Sequence, residues 1–139
     1  MPAPSAEALA PLILYALWAV ALQFRLAFAR QAAMRSQKRA INTFKAMGDD
    51  EALDRVSRAH LNTVENLPVF AVTYLAALWT GAAAPIIALG WTAFGARAVQ
   101  SLTHLSSTSV AAVRLRALMQ LVGIVCFIWL GVSALLTLS

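Results

Sequence analysis

One cysteine, six acidic residues and six glycines are all that this 139-residue chain holds of those types. Each scarcity excludes something. A lone thiol, Cys126, forms no intrachain disulfide, and with His60 and His104 as the only histidines a structural zinc site has too few ligands. Cys126 sits in an apolar run with no charged neighbour to activate it, so it reads as a packed small hydrophobe rather than a reactive thiol. Charge is sparse as well: 12% of residues are charged, against roughly 25% in soluble domains. No repeat, low-complexity tract or nucleotide-binding glycine loop occurs, and no Ser/His/Asp or Cys/His catalytic motif is recognisable. No aromatic-and-basic groove pattern accompanies the net charge of +5, so that charge does not point to nucleic acid.

What the chain has is oil. It is 60% hydrophobic with a mean hydropathy of +0.71, and its long apolar runs mean an integral membrane protein of one domain. The fold class is all-α, a four-helix transmembrane bundle, with spans at about 9–29, 61–80, 86–104 and 112–138. A signal peptide is rejected for the first run, because Lys and Arg are missing ahead of it and it exceeds a typical h-region. Pro11 falls where a first helical turn tolerates it. The second helix begins at about Glu51, after the break at Gly48-Asp49-Asp50, and its first turns stand in water or headgroups. Pro68 lies inside it and frees the carbonyl of Val64. Gly90 and Gly95 offer close helix packing in the third span.

All eleven basic residues lie at the first-to-second or third-to-fourth connection, at positions 25, 30, 35, 38, 39, 45, 55, 58, 97, 114 and 116. By the positive-inside rule both connections are cytoplasmic and both termini lie on the opposite side. Arg35, Lys38, Arg39 and Lys45 read as a loop facing lipid headgroups, the alternative being that one arginine folds back over a site. High alanine content is the sole hint of a bacterial inner membrane.

Two polar stripes run into this bundle. On a helix, Arg55, Arg58, Asn62, Glu65 and Asn66 fall within about 100° of arc, with His60 pointing away. Arg97, Gln100, Ser101 and His104 share a second narrow arc late in the third span. Polar groups are expensive in lipid, so each stripe faces protein, water or a ligand. A helix-to-helix hydrogen bond explains any one of them as well as a ligand does; five on one face point to a site.

The stretch Arg55-x-x-Arg58-x-x-x-Asn62-x-x-Glu65-x-x-Pro68-x-Phe70 resembles the signature of the MAPEG family, the membrane-associated proteins of eicosanoid and glutathione metabolism. The resemblance extends over essentially the whole chain. It implies a homotrimer that binds glutathione between neighbouring subunits near the cytoplasmic face, while a hydrophobic small molecule or lipid enters from the bilayer. It implies that Arg58, Asn62 and Glu65 hold glutathione with Arg55 close by. An arginine at the start of the fourth helix would stabilise the thiolate, with Arg114 first choice and Arg116 second. These two differ by about 200° around a helix, so both cannot face one site. Arginine forks suit the two carboxylates of glutathione, and a buried carboxylate suits its ammonium. The tyrosine expected late in the third helix is absent; His104, near its place, reads as an interfacial histidine hydrogen-bonded to a carbonyl, with ligand binding as the alternative.

The reading is a glutathione transferase or peroxidase acting on lipophilic electrophiles. The alternative is a non-catalytic lipid- or partner-binding protein on the same scaffold. A small transporter or channel is disfavoured by the lack of an interrupted helix pair. Arg25 is expected at the depth of Glu65 on an antiparallel helix, as its ion-pair partner or within the same pocket.

Overall fold

A computed structural model describes residues 4–38, 40–45, 48 and 50–138, with Ile41 described by its backbone alone. Arg39 of the basic loop and Asp49 of the break before the second helix lie outside the described residues. Four helices follow one another: α1 (Ala6–Gln37), α2 (Glu51–Thr80), α3 (Ile86–Ser106) and α4 (Val110–Leu138). A single 3-10 turn, Ile41–Thr43, interrupts the α1–α2 connection.

The ends of these helices are set by local chemistry. Ser5 caps α1, accepting from the Ala8 amide at 3.2 Å. Asp50 does the same for α2 through the Leu53 amide at 3.0 Å. Gly81 closes α2 in the left-handed region at φ 65, a conformation a glycine adopts freely. The Ser109 hydroxyl accepts from the Ala112 amide at 3.2 Å at the start of α4. α1 runs past the expected end of the first span to Gln37. The segment Arg30–Gln37 holds alanine, methionine, arginine and glutamine, all good helix formers, and no glycine or proline. α1 also starts at Ala6, so Pro11 lies in its second turn rather than its first.

Two helices, α1 and α4, are long and apolar enough to cross a membrane on composition alone, with mean hydropathies of 1.8 and 2.5 in their best windows. α2 and α3 carry the polar stripes and form the middle of the bundle. α2 packs against all three other helices, whereas α1 and α4 share no substantial contact.

The middle of the bundle is held by aromatics. Tyr15 of α1 stacks on Phe70 of α2 at 5.0 Å between ring centroids, and Phe70 meets Tyr74 at 5.2 Å and Phe127 of α4 at 5.6 Å. Cys126, Leu130 and Ala93 fill the space around them, so the cysteine is a core residue. The Tyr74 hydroxyl donates to the Ala8 carbonyl at 2.6 Å. Gly90 of α3 lets that tyrosine approach, because a Cβ there would lie 2.5 Å from its ring; at Gly95 nothing comes within 4 Å. A smaller cluster, Leu26, Leu53 and Val56, joins α1 to α2 near the basic end.

Candidate functional site

The polar stripe of α2 straddles the boundary between core and surface, and the structure divides it. Asn62 and Asn66 turn inward and are half-buried, while Arg58 and Glu65 stand exposed on the flank. Arg55 is tied to Glu51, one turn back, at 2.9 Å. An arc of about 100° is wide enough for both outcomes.

The inward members join the stripe of α3 in a network that reaches all four helices. Its centre is Arg97, only 3% exposed. Its Nε donates to the Tyr15 hydroxyl on α1 at 2.9 Å, and its Nη2 donates to Gln120 Oε1 on α4 at 3.1 Å. Its Nη1 donates to Gln100 Oε1, one turn along α3. Gln100 Nε2 donates to Gln120 Oε1 at 3.2 Å and to the Arg116 carbonyl at 3.3 Å. Gln120 Nε2 donates onward to Asn66 Oδ1 at 3.3 Å, and Asn66 Nδ2 donates to the Asn62 carbonyl at 2.8 Å. Beside this chain Thr63 and Ser101 share a hydroxyl contact at 3.2 Å.

Among the described residues, none of the bonds around Arg97 ends on a carboxylate. A buried guanidinium is usually neutralised by an acid, because desolvating an unpaired charge is costly. Here neutral oxygens from three residues carry that duty, and the positive charge is met by dipoles alone. Arg97, Gln100 and Gln120 are the members that sequence reasoning does not place in a site. The arc of α3 announces the first two. Nothing local announces that Gln120 and Tyr15 close around them.

At the basic end the network reaches His104. Its Nε2 lies 3.2 Å from Asn62 Nδ2, and its Nδ1 lies 3.0 Å from Arg116 Nη1. Arg116 is therefore drawn into the polar cluster, whereas Arg114 points to the exposed side of α4. Arg58 adds its charge to the surroundings of the same imidazole. Asn62, His104 and Arg116 thus come together with Arg58 at the rim, Glu65 follows two turns along α2, and Arg55 stays apart with Glu51.

Arg25 and Glu65 do not meet. Tyr15 against Phe70 sets the antiparallel register of α1 and α2, which places Arg25 opposite position 60. That level is five residues, or ~7.5 Å, nearer the basic end than Glu65. The equal depth expected of the pair is not what this register gives. No ion pair joins them among the described residues. Arg25 lines instead a cleft of about 590 Å³ between α1 and α3, with Trp18, Leu22 and Leu102 as its apolar walls.

A second polar recess lies between α1 and α2, on the far side of α2 from the network. It measures about 300 Å³ and is lined by Gln23, Leu26, Ala27, Arg30, Ser57, His60 and Leu61. Arg30 Nε, Ser57 Oγ and His60 Nδ1 are all buried without a hydrogen-bond partner among the described residues. Ser57 itself is only 2% exposed. Buried polar atoms are satisfied in the great majority of cases, so these three call for a partner from water, a ligand or a neighbouring chain.

Arginines, amides and imidazoles thus gather toward one end of an apolar bundle. Comparison with curated proteins finds no match to the chain. The model of the MAPEG family matches residues 8–136, nearly the full length. The motif on α2, the four helices and this match agree: the chain belongs to the MAPEG family.

Proposed function

We propose that the protein is a membrane glutathione transferase or peroxidase acting on lipophilic electrophiles, assembled as a homotrimer with its sites between subunits at the cytoplasmic end. Membership of the family supports a glutathione-transferase-like or related membrane function in general. The observation that carries the finer reading is the cluster of Arg58, Arg97 and Arg116 around one imidazole, whose bonded network contains no acid among the described residues.

Glutathione fits this donor set. It brings two carboxylates, one ammonium and a thiol. Arg58 stands at the exposed rim, where a fork of N–H groups meets a carboxylate. Glu65, exposed on the same flank, offers a counter-charge to the ammonium. The Asn62 amide both donates and accepts. On the opposite side of α2, Arg30 Nε, Ser57 Oγ and His60 Nδ1, buried without partners among the described residues, offer a second polar set. In a trimer that recess would meet the flank of a neighbouring subunit and take the remaining carboxylate. Exposed Leu61, Val64, Val69 and Val72 on α2 are consistent with a covered or lipid-facing flank.

In the reaction, the thiol gives its proton to solvent and the thiolate attacks the electrophilic carbon. A carbon–sulfur bond forms and the leaving group departs with its electron pair. Arg116, a partly buried cation at the start of α4, is the residue that would hold the thiolate. Arg114, on the exposed side of the same helix, would serve only if the thiol lay against that outer face. The placement of every basic residue at one end of the helices supports a cytoplasmic location for this end. Apolar clefts beside Arg25 favour one other reading, a lipid-binding protein without catalysis.

Turnover decides between them. Purified protein should conjugate glutathione to an activated aryl halide, and Arg116→Ala should lower kcat by about 100-fold, the scale for removing one charge stabiliser of a reacting anion. Wild-type protein with no turnover, or Arg116→Ala with full turnover while Arg114→Ala is dead, overturns the assignment.

A further inference from the structure

His104 faces two groups at once, and their chemistry allows it only one state. A guanidinium has donors and no acceptor, so the ring nitrogen 3.0 Å from Arg116 Nη1 must be the acceptor. That nitrogen is Nδ1, and its lone pair is free only when the ring is neutral with its proton on Nε2. An imidazolium would set two donors against each other. Nε2–H then points at the Asn62 side chain 3.2 Å away. The amide atom placed there is Nδ2, and two facing N–H groups bond nothing, so the amide is turned end for end and Oδ1 accepts from Nε2–H. This orientation turns Asn62 Nδ2 away from the ring and leaves it available to a guest.

The electrostatics favour the same state. The charged groups that bear on the ring are Arg116 from α4, Arg58 from α2 and Arg97 from α3 itself, all cations. A second positive charge on the imidazole would be repelled from three sides. α1 brings no charged group to hydrogen-bonding distance of the ring among the described residues.

We propose that Asn62 and His104 are positioning residues for Arg116: Asn62 fixes the His104 tautomer, and the bare Nδ1 holds the guanidinium. The family resemblance gives Asn62 to the ligand and the sequence offers His104 as a candidate for it; the geometry gives both this further task. The Arg116 backbone is held independently, since its carbonyl accepts from Gln100 Nε2 at 3.3 Å. Main chain and side chain of one residue are thus each fixed by α3. A long, flexible arginine reaches one geometry only when both ends are restrained. The catalytic consequence rests on the reading of Arg116 given above; the tautomer does not.

The test has two arms. The first is nitrogen NMR on full-length protein in lipid nanodiscs, labelled with ¹⁵N-histidine. His60 and His104 are the only histidines, and a His60→Gln variant assigns the two signals. The expected result is His104 with its proton on Nε2 and a bare Nδ1 at neutral pH. Asn62→Leu or Arg116→Leu should convert that signal to a mixture of tautomers. A proton on Nδ1, an imidazolium, or a signal indifferent to Arg116→Leu overturns the proposal whatever the protein's activity. The second arm is kinetic. His104→Leu should lower kcat at least about tenfold, the worth of one hydrogen bond to a charged group, with little change in KM for glutathione. His104→Gln keeps one acceptor and one donor and should restore most of the loss. Loss confined to KM, or no recovery in His104→Gln, overturns the positioning role. Should the NMR result hold in a protein that never turns over glutathione, the tautomer lock stands and the functional reading falls.

Discussion

The middle of this bundle and its basic end are held by different forces. At the middle level Tyr15, Phe70, Tyr74 and Phe127 interlock by shape, and the Tyr15 hydroxyl alone reaches across to Arg97. At the basic end Asn62, Asn66, Arg97, Gln100, His104, Arg116 and Gln120 hold one another by hydrogen bonds. Packing is an efficient source of stability in a bilayer and carries no chemistry. Interhelical hydrogen bonds in membranes are worth only roughly 0.6 kcal/mol each on average, and a buried charge adds a desolvation cost. An end built that way contributes little stability for its size, which favours a ligand as its purpose.

The contrast can be broken by mutation. The largest loss of stability should follow Phe70→Ala, which removes a fully buried ring touching three others. It should cost about 3–5 kcal/mol in reversible unfolding in detergent. The molecules still folded should keep their turnover. Arg97→Met should cost less, about 1–2 kcal/mol: three donated hydrogen bonds vanish, and the relief of a buried charge offsets part of them. Its turnover should nevertheless fall, because Gln100 and Gln120 lose the group that orders them. Equal stability losses in the two variants, or full activity in Arg97→Met, would erase the distinction between the aromatic middle and the basic end.

Much of this architecture is legible in the order of the residues. Helix α2 begins at Glu51, after the break before it, and ends at Thr80 with its apolar span, and α4 starts two residues ahead of the fourth span. Both polar arcs are present as the helical spacing gives them. What does not show locally is what depends on a third dimension. α1 continues to Gln37 because nothing stops it, although the polar composition there reads as a loop. The division of the α2 stripe depends on where its neighbours lie, and periodicity contains no such coordinate. Gln120 and Tyr15 are single polar groups in apolar runs, and their shared partner Arg97 lies 23 and 82 residues away. The depth of Arg25 depends on the helix register, which the Tyr15–Phe70 stack sets. The recess around Ser57 is recognised only because three polar atoms lack partners there.

The central claim is that the basic end exists to bind glutathione, and equilibrium binding tests it most directly. Titration of purified protein in nanodiscs with glutathione should show saturable binding at millimolar or lower concentration. Arg58→Ala, at an exposed position that stability should ignore, should weaken it at least about tenfold, the worth of one charge-assisted hydrogen bond. Absence of binding to the wild type, or unchanged affinity in Arg58→Ala, would contradict the account.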